Sequence, residues 1–571
     1  MRWTVKPQPP KEKVDALKKA LQVDDIVASL LAQRGIDTFN KAKDFFRPDL
    51  KDLHNPFLMK DMLKAVERIE LALENHENIL VYGDYDVDGT TAVALLSTYL
   101  KTRTTQVATY IPDRYKEGYG ISYQGIDFAS DNDFTLIIAL DCGIKAIDKV
   151  AYARAKDIDF IICDHHRPGK TIPAAVAVLD PKQEDCDYPF KELCGCGVGF
   201  KLISALDSRS NGTQQDLRPY LDLVATAIGA DIVPIVDENR ILAYHGLRVI
   251  NTNPRPGIKA IIAEVKKKEL TITDVVFIVA PRINAAGRMK HGNHAVTLLA
   301  ETDINLAASY ALDIEDFNTT RRDADRKITE EALKLITKHG EEERYTTVVY
   351  DENWHKGVIG IVASRLIETY YRPTLVFTKS GQYLAASARS VSGFDVYNAI
   401  EACSEYIEQF GGHKYAAGLT LKPEHYESFK AKFEAVVKET IDPKLRTPEI
   451  KIDLKIEISQ INAKLHRILK QFAPFGPSNM APVFMSQHLI DAGWSKCVGE
   501  DESHLRLTLK QKDNSSESIP ETTLVGIGFS LGHKLAIVKE NDSFSAAFTI
   551  DENHWNGQTS LQLKLKDIKP L

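Results

Sequence analysis

The stretch ENILVYGDYDVDGTTAVALLSTYLKT, residues 77–102, decides the fold. ENILVYG is a short apolar run of strand length, and TTAVALLSTYLKT is compatible with a helix. Between them Asp84, Asp86 and Asp88 alternate, and Gly89 permits a tight turn. A strand, an acidic turn and a helix make half of a βαβ unit. In an open parallel sheet ligands gather beyond the carboxyl ends of the strands, so these carboxylates stand where chemistry is expected. A solvated turn or a calcium loop is the competing reading. An EF-hand fails, because the required spacing to a glutamate and the flanking helices are absent.

Working outward, VATYI (107–111), FTLIIAL (134–140), DFIIC (159–163) and AAVAVLD (174–180) are further short apolar runs, several separated by helical stretches. That alternation predicts a mostly parallel sheet. Acidic groups recur after its strands. Asp141-Cys142-Gly143 follows FTLIIAL, and Asp164-His165-His166 follows DFIIC. Asp231 lies in LVATAIGADIVPIV (223–236). A lone aspartate after a strand is commonly a helix cap. Two histidines beside an aspartate at the tip of a buried strand are harder to explain that way. Taken together, six aspartates and two histidines offer hard oxygen and imidazole donors. They fit a two-metal centre for in-line displacement at phosphorus.

The chain has 571 residues, 44% hydrophobic and 26% charged, which suits several soluble domains. Its 72 Lys+Arg against 79 Asp+Glu leave a net charge of −7. A cationic coat is thereby excluded, so any polyanion must be met by a local basic surface or by metal. No apolar run is long enough for a membrane span, and MRWTVKPQPPKEK lacks the features of a signal peptide. Seven cysteines read as reduced thiols of a cytoplasmic protein. Cys194-x-Cys196, with Cys186 nearby, is a weak hint of zinc.

Residues 1–75 carry helical periodicity (VDALKKALQVDDIVASLLAQRG, MLKAVERIELALEN) and are expected to form an N-terminal helical extension. The catalytic domain is placed at 76–234 and a helical connector at 235–340. The connector ends in DIEDFNTTRRDADRKITEEALKLITKHG (313–340), one long exposed helix bridging two lobes. Its Arg321-Arg322 and Arg326-Lys327 read as a solvated face. A second α/β lobe is expected at 341–447, with strands at YTTVVY, RPTLVFT and YLAASARS. Residues 448–571 alternate as short strands and suggest a small barrel.

The ordered set DYDVDG, ALDCG, DHH and GADIVP resembles the phosphoesterase motifs of the DHH family. SARS (387–390) and FGGHKYAAG (410–418) resemble its DHH-associated substrate-binding domain. PRINAAGRM (281–289), WHKGVIGIVASRL (354–366) and FAPFGPSNMAPVF (472–484) resemble its single-strand-specific DNA exonuclease branch. The fold implied is α/β: a DHH-type parallel-sheet lobe, a long helix, a second α/β lobe and a C-terminal OB-type β-barrel for nucleic acid. The resemblance implies two Mn²⁺ (or Mg²⁺) ions held by Asp86, Asp88, Asp141, His165 and Asp231. Asp84 and Asp164 would lie in the same shell or orient it. His166 would contact metal or the scissile phosphate, or act as an acid. Asp84, Asp164, His165 and His166 are the catalytic candidates.

For the substrate, Arg389 can hold a phosphate bidentately, and Gly411-Gly412 can form an anion nest. His413 and Lys414 add donors, Ser387 and Ser390 flank Arg389, and Arg282 and Arg288 form a second clamp. Each arginine has a surface ion pair as its bland alternative. In the barrel, Phe472, Phe475, Phe484, Trp494, Arg506, Phe529 and Trp555 are candidates for stacking and backbone contact. Residues 451–571 hold 14 Lys+Arg and 14 Asp+Glu, so any grip there is a patch. The expected activity is 5′→3′ degradation of single-stranded DNA to mononucleotides in recombination and repair. A monomer is expected, partnered by single-strand-binding protein and a RecQ-type helicase. The alternatives are a nanoRNase or cyclic-dinucleotide hydrolase of the same family, or an inactive DNA-binding scaffold.

Overall fold

The computed structural model describes every residue except Asn211, Gln214, 512–522 and Asn556, together with the side chain of Trp555. The chain divides into two units. The larger comprises Leu53–Val233 and Asp237–Pro448; the smaller comprises Met1–Asp52, Pro234–Val236 and Glu449–Leu571.

The larger unit begins with helix α1 (Met62–Glu74) and strand β1 (Asn78–Gly83). Helix α2 (Val87–Leu100), β2 (Val107–Tyr110), β3 (Phe134–Leu140), β4 (Asp159–Cys163) and β5 (Ala177–Leu179) follow. The five strands form one wholly parallel sheet in the order β2-β1-β3-β4-β5. Strands covered on both faces read as continuous apolar runs, and all but the first residue or two of β1, β3 and β4 are buried. The chain leaves β1 toward one edge of the sheet and later returns to build on its other side. β1 and β3 therefore flank the point where the winding reverses, which is where open α/β sheets bind ligands. Helices α3 (Gly195–Arg209), α4 (Leu221–Ala230) and α5 (Asp237–Thr252) complete this lobe.

Helix α6 (Ala280–Met289) leads to α7 (Ile304–Lys338), 35 residues and about 50 Å long. α7 packs on α6 at one end and on the second lobe at the other. Its buried positions, among them Ala307, Ile314, Ile328, Ala332 and Ile336, lie at helical spacing. The expected solvated face is interrupted: the Arg321 side chain is only 11% exposed, beside the buried carboxylate of Asp325. The second lobe contains β6 (Thr347–Tyr350), α8 (Ile359–Tyr370), β7 (Thr374–Ser380), β8 (Tyr383–Arg389), β9 (Gln409–His413) and β10 (Ala416–Leu421). Their order is β9-β10-β8-β7-β6, with only β6 and β7 parallel.

In the smaller unit five strands close a barrel: 484–491, 544–555, 558–570, 524–528 and 504–511, the last returning to the first. Five strands suit an oligonucleotide-binding fold. The boundary expected at residue 75 is not where the structure divides. Residues 11–46 form three helices whose Val27, Leu30 and Leu31 share one core with Phe472, Phe484, Phe544 and Phe548 of the barrel. The extreme N-terminus is not helical, because Arg2–Val5 pairs in parallel with Glu449–Ile452. Trp3 Nε1 donates to Asp567 Oδ2 at 2.8 Å. Met62–Glu74, by contrast, packs in the larger unit.

Phe472 and Phe484, expected as stacking candidates, are wholly buried, and Phe475 packs against the core. Trp494 and Phe529 are exposed, with His504 edge-on to Phe529 and Lys564 over it.

Candidate metal centre

The acids of the three strand-end motifs converge at the carboxyl ends of β1, β3 and β4, and the structure shows what fixes each. Asp84 follows β1 and is buried. Burial first, and the charge of Asp86 second, push its pKa well above the usual carboxylate range. Asp86 caps α2, its Oδ1 accepting the amide of Gly89 at 3.1 Å. Asp88, the second residue of α2, is gripped by the start of α3. Gly195 N donates to Oδ2 and Cys196 N to Oδ1, both at 2.7 Å. Burial and the nearby Asp86 raise its pKa to about 7. Gly195 is required there: a Cβ would stand 2.5 Å from Asp141 Cβ and 2.8 Å from Asp141 Cα.

Asp141 takes a left-handed backbone, φ 60°, and its amide donates to Cys163 O. That bend turns the carboxylate back over the sheet end. Its Oδ1 lies 3.1 Å from His165 Nε2, and neither atom makes a hydrogen bond. His165 Nε2 is also 3.7 Å from Asp231 Oδ2 and 3.8 Å from Asp88 Oδ2. Burial and the charge of His166 lower the His165 pKa to about 3, so the ring is neutral. Asp231 ends α4, and burial with the charge of Asp88 raises its pKa to about 8.

Asp164 is differently employed. Its Oδ1 accepts from His165 N, His166 N and His166 Nδ1, and its Oδ2 accepts from Ile144 N at 2.9 Å. Burial alone would raise its pKa, but the bonds and charge of His166 bring it to about 2. The oxygens are spent on the protein, so Asp164 orients the site. His166 is the counterpart: burial would lower its pKa, and Asp164 raises it to about 9. Its ring is 44% exposed, and Nε2 lies 3.1 Å from the hydroxyl of Tyr119.

Two donor groups, Asp141–His165–His166 and Asp88–His165–Asp231, each lie within 4.8 Å and share His165. Neutral imidazole, orphaned buried donors and excess carboxylate are what a hard divalent ion needs. The cysteines take no part among the described residues. Cys194 caps α3 through its sulfur, Cys196 is buried in the first turn, and zinc gains no support.

Beside this pocket lie three arginines without a carboxylate partner among the described residues. Arg288 is half-buried; desolvation first, then the charges of Arg114, Arg389 and Arg321, lower its pKa to about 9. Its Nη1 donates to Gly357 O of the second lobe at 2.8 Å. Arg389, on β8, donates to Ser387 Oγ and Ala388 O. Arg114 covers the ring of Tyr85, 4.6 Å from its centre. Such an unneutralised cluster calls for an anion. Arg282, expected as a clamp, is instead spent on Glu315 of α7 and on Ile278 O. Ser390 bonds Phe394 O, and Lys414 lies over its neighbour Tyr415. His413 sits in the fields of Arg389 and His166, which with burial lower its pKa. Gly411 and Gly412 form a hairpin strand rather than a turn-built nest. Gly412 is needed because a Cβ would meet Ala416 O at 2.4 Å.

Sequence reasoning missed Arg114, Tyr119, Gly195 and Asp180. Asp180 ends β5 as the other acids end their strands, and burial raises its pKa to about 7. That strand-end position was the available signal. The other three lie on loops and a helix start with no pattern of their own.

Comparison with known proteins agrees with this geometry. Residues 78–228 match the DHH family, N-terminal domain; 343–439 match the DHHA1 domain; 452–567 match the RecJ OB domain. The chain is 34% identical to the single-stranded-DNA-specific exonuclease RecJ of Bacillus subtilis, over 99% of this chain and 70% of that one. It is 33% identical to the Escherichia coli RecJ, over 89% and 90%. The crystal structure of Thermus thermophilus RecJ in complex with Mn²⁺ superposes with a TM-score of 0.83 at 26% identity, covering 100% of this chain and 80% of that one. A second structure of the same protein contains Mg²⁺, with a TM-score of 0.76 at 25% identity, covering 100% and 79%.

Proposed function

The chain belongs to the RecJ family of single-stranded-DNA-specific exonucleases, and from that membership we propose that it removes mononucleotides from single-stranded DNA in the 5′→3′ direction. The observation that carries the reading is the convergence of Asp88, Asp141 and Asp231 on the neutral ring of His165, with an acid-free arginine cluster beside them. Asp88, Asp141, His165 and Asp231 would hold two Mn²⁺ or Mg²⁺ ions, with Asp84 and Asp86 closing the acidic shell. Bound there, the ions lower the pKa of a water and offset charge on the attacking and leaving oxygens.

The chain's own residues do the rest. Asp164 fixes both histidines and keeps His166 cationic. His166, held also by the Tyr119 hydroxyl, faces the substrate and supplies a proton to the leaving oxygen. Arg114, Arg288 and Arg389 take a backbone phosphate bidentately where water is scarce and charge-assisted bonds are strong. Ser387 keeps Arg389 aimed, and His413 closes the second lobe over the same phosphate.

We assign the domains as a catalytic lobe, the α7 bridge, a DHH-associated lobe and an OB barrel, with the first 50 or so residues packed in the barrel's unit. An enzyme restricted to single strands needs a duplex opener, so a RecQ-type helicase and single-strand-binding protein are the expected partners of a monomer. Among the described residues no helix is long and apolar enough to cross a membrane, and seven free cysteines fit a reducing cytoplasm.

The test is Mn²⁺-dependent release of mononucleotides from 5′-labelled strands against duplex ends, with Asp164→Ala alongside. Release confined to single strands, and lost in the variant, is expected. Preference for duplex ends, or full activity in Asp164→Ala, refutes the reading.

A further inference from the structure

A cavity of about 380 Å³ opens on the solvent face of α7, lined by Arg322, Arg326 and Arg365 with Thr319 and Thr329 between them. Thr319, Arg322, Arg326 and Thr329 lie three, four and three residues apart, so they form one stripe about 15 Å long. Arg365 comes from α8, which packs beside it. Asp323 and Glu330 line it as well, so three guanidiniums face two carboxylates. Asp323 pairs with Arg326 at 3.2 Å, but both side chains are at least two-thirds exposed and such a pair is weak in water. Arg322 has no ion pair among the described residues.

A buried ion-pair relay runs from this groove to Arg321 on the inner side of α7. Asp325 is fully buried and serves two guanidiniums: Arg365 Nε at 2.7 Å on the groove side and Arg321 Nη1 at 3.8 Å on the inner side. One carboxylate between two arginines leaves a positive surplus and holds Arg365 in place. Arg321 lies in the fields of Arg282, Arg322 and Arg365, and its own field reaches Arg288. The arginines thus run in sequence from Arg389 and Arg288, through Arg321, to Arg365 and Arg322.

We infer that the Arg322–Arg326–Arg365 groove is a second holding site for the phosphodiester backbone of a single strand, away from the scissile phosphate. Planar guanidiniums and threonine hydroxyls suit phosphate oxygens. An acidic peptide could meet the same charges, but the nearness of Arg321 to Arg365 on one side and to Arg288 of the phosphate-holding cleft on the other favours the strand that the cleft already engages. The inference rests on the proposed nuclease function.

The test uses Arg322→Ala/Arg326→Ala in the full chain, where both altered side chains are exposed and the fold is undisturbed. Binding of an oligothymidylate of about 20 nucleotides is measured in chelator across a salt series, and hydrolysis of a strand of about 4 nucleotides is measured in Mn²⁺. The double variant is expected to bind the long strand more weakly, with a salt slope lower by about 1.4 for two lost phosphate contacts. Its deficit shrinks about sevenfold between about 50 and 200 mM salt, while its rate on the short strand stays at the wild-type value. Arg322→Lys/Arg326→Lys keeps the slope. A long-strand affinity and slope equal to wild type overturn the inference, as does an equal loss on the short strand. An acidic peptide that binds wild type better than the variant, with strand binding unchanged, assigns the groove to a protein instead. Failure of wild type itself to bind or cut single strands strikes the proposed function, and the groove's ligand falls with it.

Discussion

Replacing Gly195 by alanine adds one methyl group at the point where α3 meets Asp88 and Asp141, two of the proposed metal ligands. The new Cβ would stand 2.5 Å from Asp141 Cβ and 2.8 Å from both its Cα and its Oδ1. Carbon atoms in contact sit at about 3.5–4.0 Å, so the intrusion is about 1 Å. Nothing soft absorbs it, because Asp141, directly after β3, is also tied to the end of β4 by its backbone bond to Cys163 O. The helix start must retreat, and with it the amides of Gly195 and Cys196 that hold Asp88 at 2.7 Å. A retreat of that size takes both bonds beyond hydrogen-bonding range. Overpacking costs about 1–3 kcal/mol, and a bond to a charged group about 1.5–3 kcal/mol, part of it recovered by entering water. A net loss of about 2–4 kcal/mol follows. Displaced support of a ligand weakens metal binding about 10- to 100-fold. Calorimetric Mn²⁺ titration, with thermal unfolding in the presence and absence of Mn²⁺, measures both. Mn²⁺ affinity within about twofold of wild type would refute the argument that Gly195 is a glycine for the sake of the metal site.

Other expectations follow from the same geometry. Arg389→Met removes a half-buried charge that is partly desolvated, repelled by Arg114 and lacking an acid partner among the described residues, so the unfolding midpoint should not fall, while KM for single strands rises about 10- to 100-fold; a lower midpoint with unchanged KM contradicts this. In metal-free protein, Asp88 and Asp231 have folded pKa values raised to about 7 and about 8. Their protonation stabilises the fold below the ordinary carboxylate pKa near 4, and that stability drains as pH rises through those values. Calorimetry in chelator should therefore show a midpoint falling from about pH 4 to pH 8, with added Mn²⁺ restoring it most at the alkaline end; a flat profile refutes the assignment. Leu30→Ala, in the core shared with the barrel, should destabilise the smaller unit by about 2–5 kcal/mol in denaturant. An unchanged transition would mean that the first helices merely lean on it.

The metal centre was largely legible because a parallel sheet advertises its own ends. An apolar run that stops at an acid names both a strand and a candidate site residue, as at Gly83-Asp84, Leu140-Asp141 and Cys163-Asp164. What each acid does there was not legible. Asp164 is spent on the amides of His165 and His166 beside it and of Ile144 twenty residues away, whereas Asp141 Oδ1 accepts no hydrogen bond. The arginines show the same limit. Arg282 and Arg288 sit six residues apart on one helix, and only tertiary packing gives one of them Glu315 while leaving the other without an acid. The N-terminal helices read correctly as helices at 11–21 and 25–33. Their periodicity carried no information about which core they join.

That core has a consequence for biosynthesis. Leu30 and Leu31 pack in the cluster that contains Phe544 and Phe548, about 500 residues later in the chain. At about 5–20 residues per second of synthesis, some 25–100 s separate the two emergences from the ribosome. Throughout that interval the catalytic lobes can complete their local βα contacts, while the apolar faces of the first helices wait without their partner. The smaller unit is therefore the last part of the protein to become safe from aggregation and proteolysis. A nascent chain stalled before residue 544 would carry a finished metal centre alongside an unprotected amphipathic head, a state for which holding chaperones would be the natural guardians.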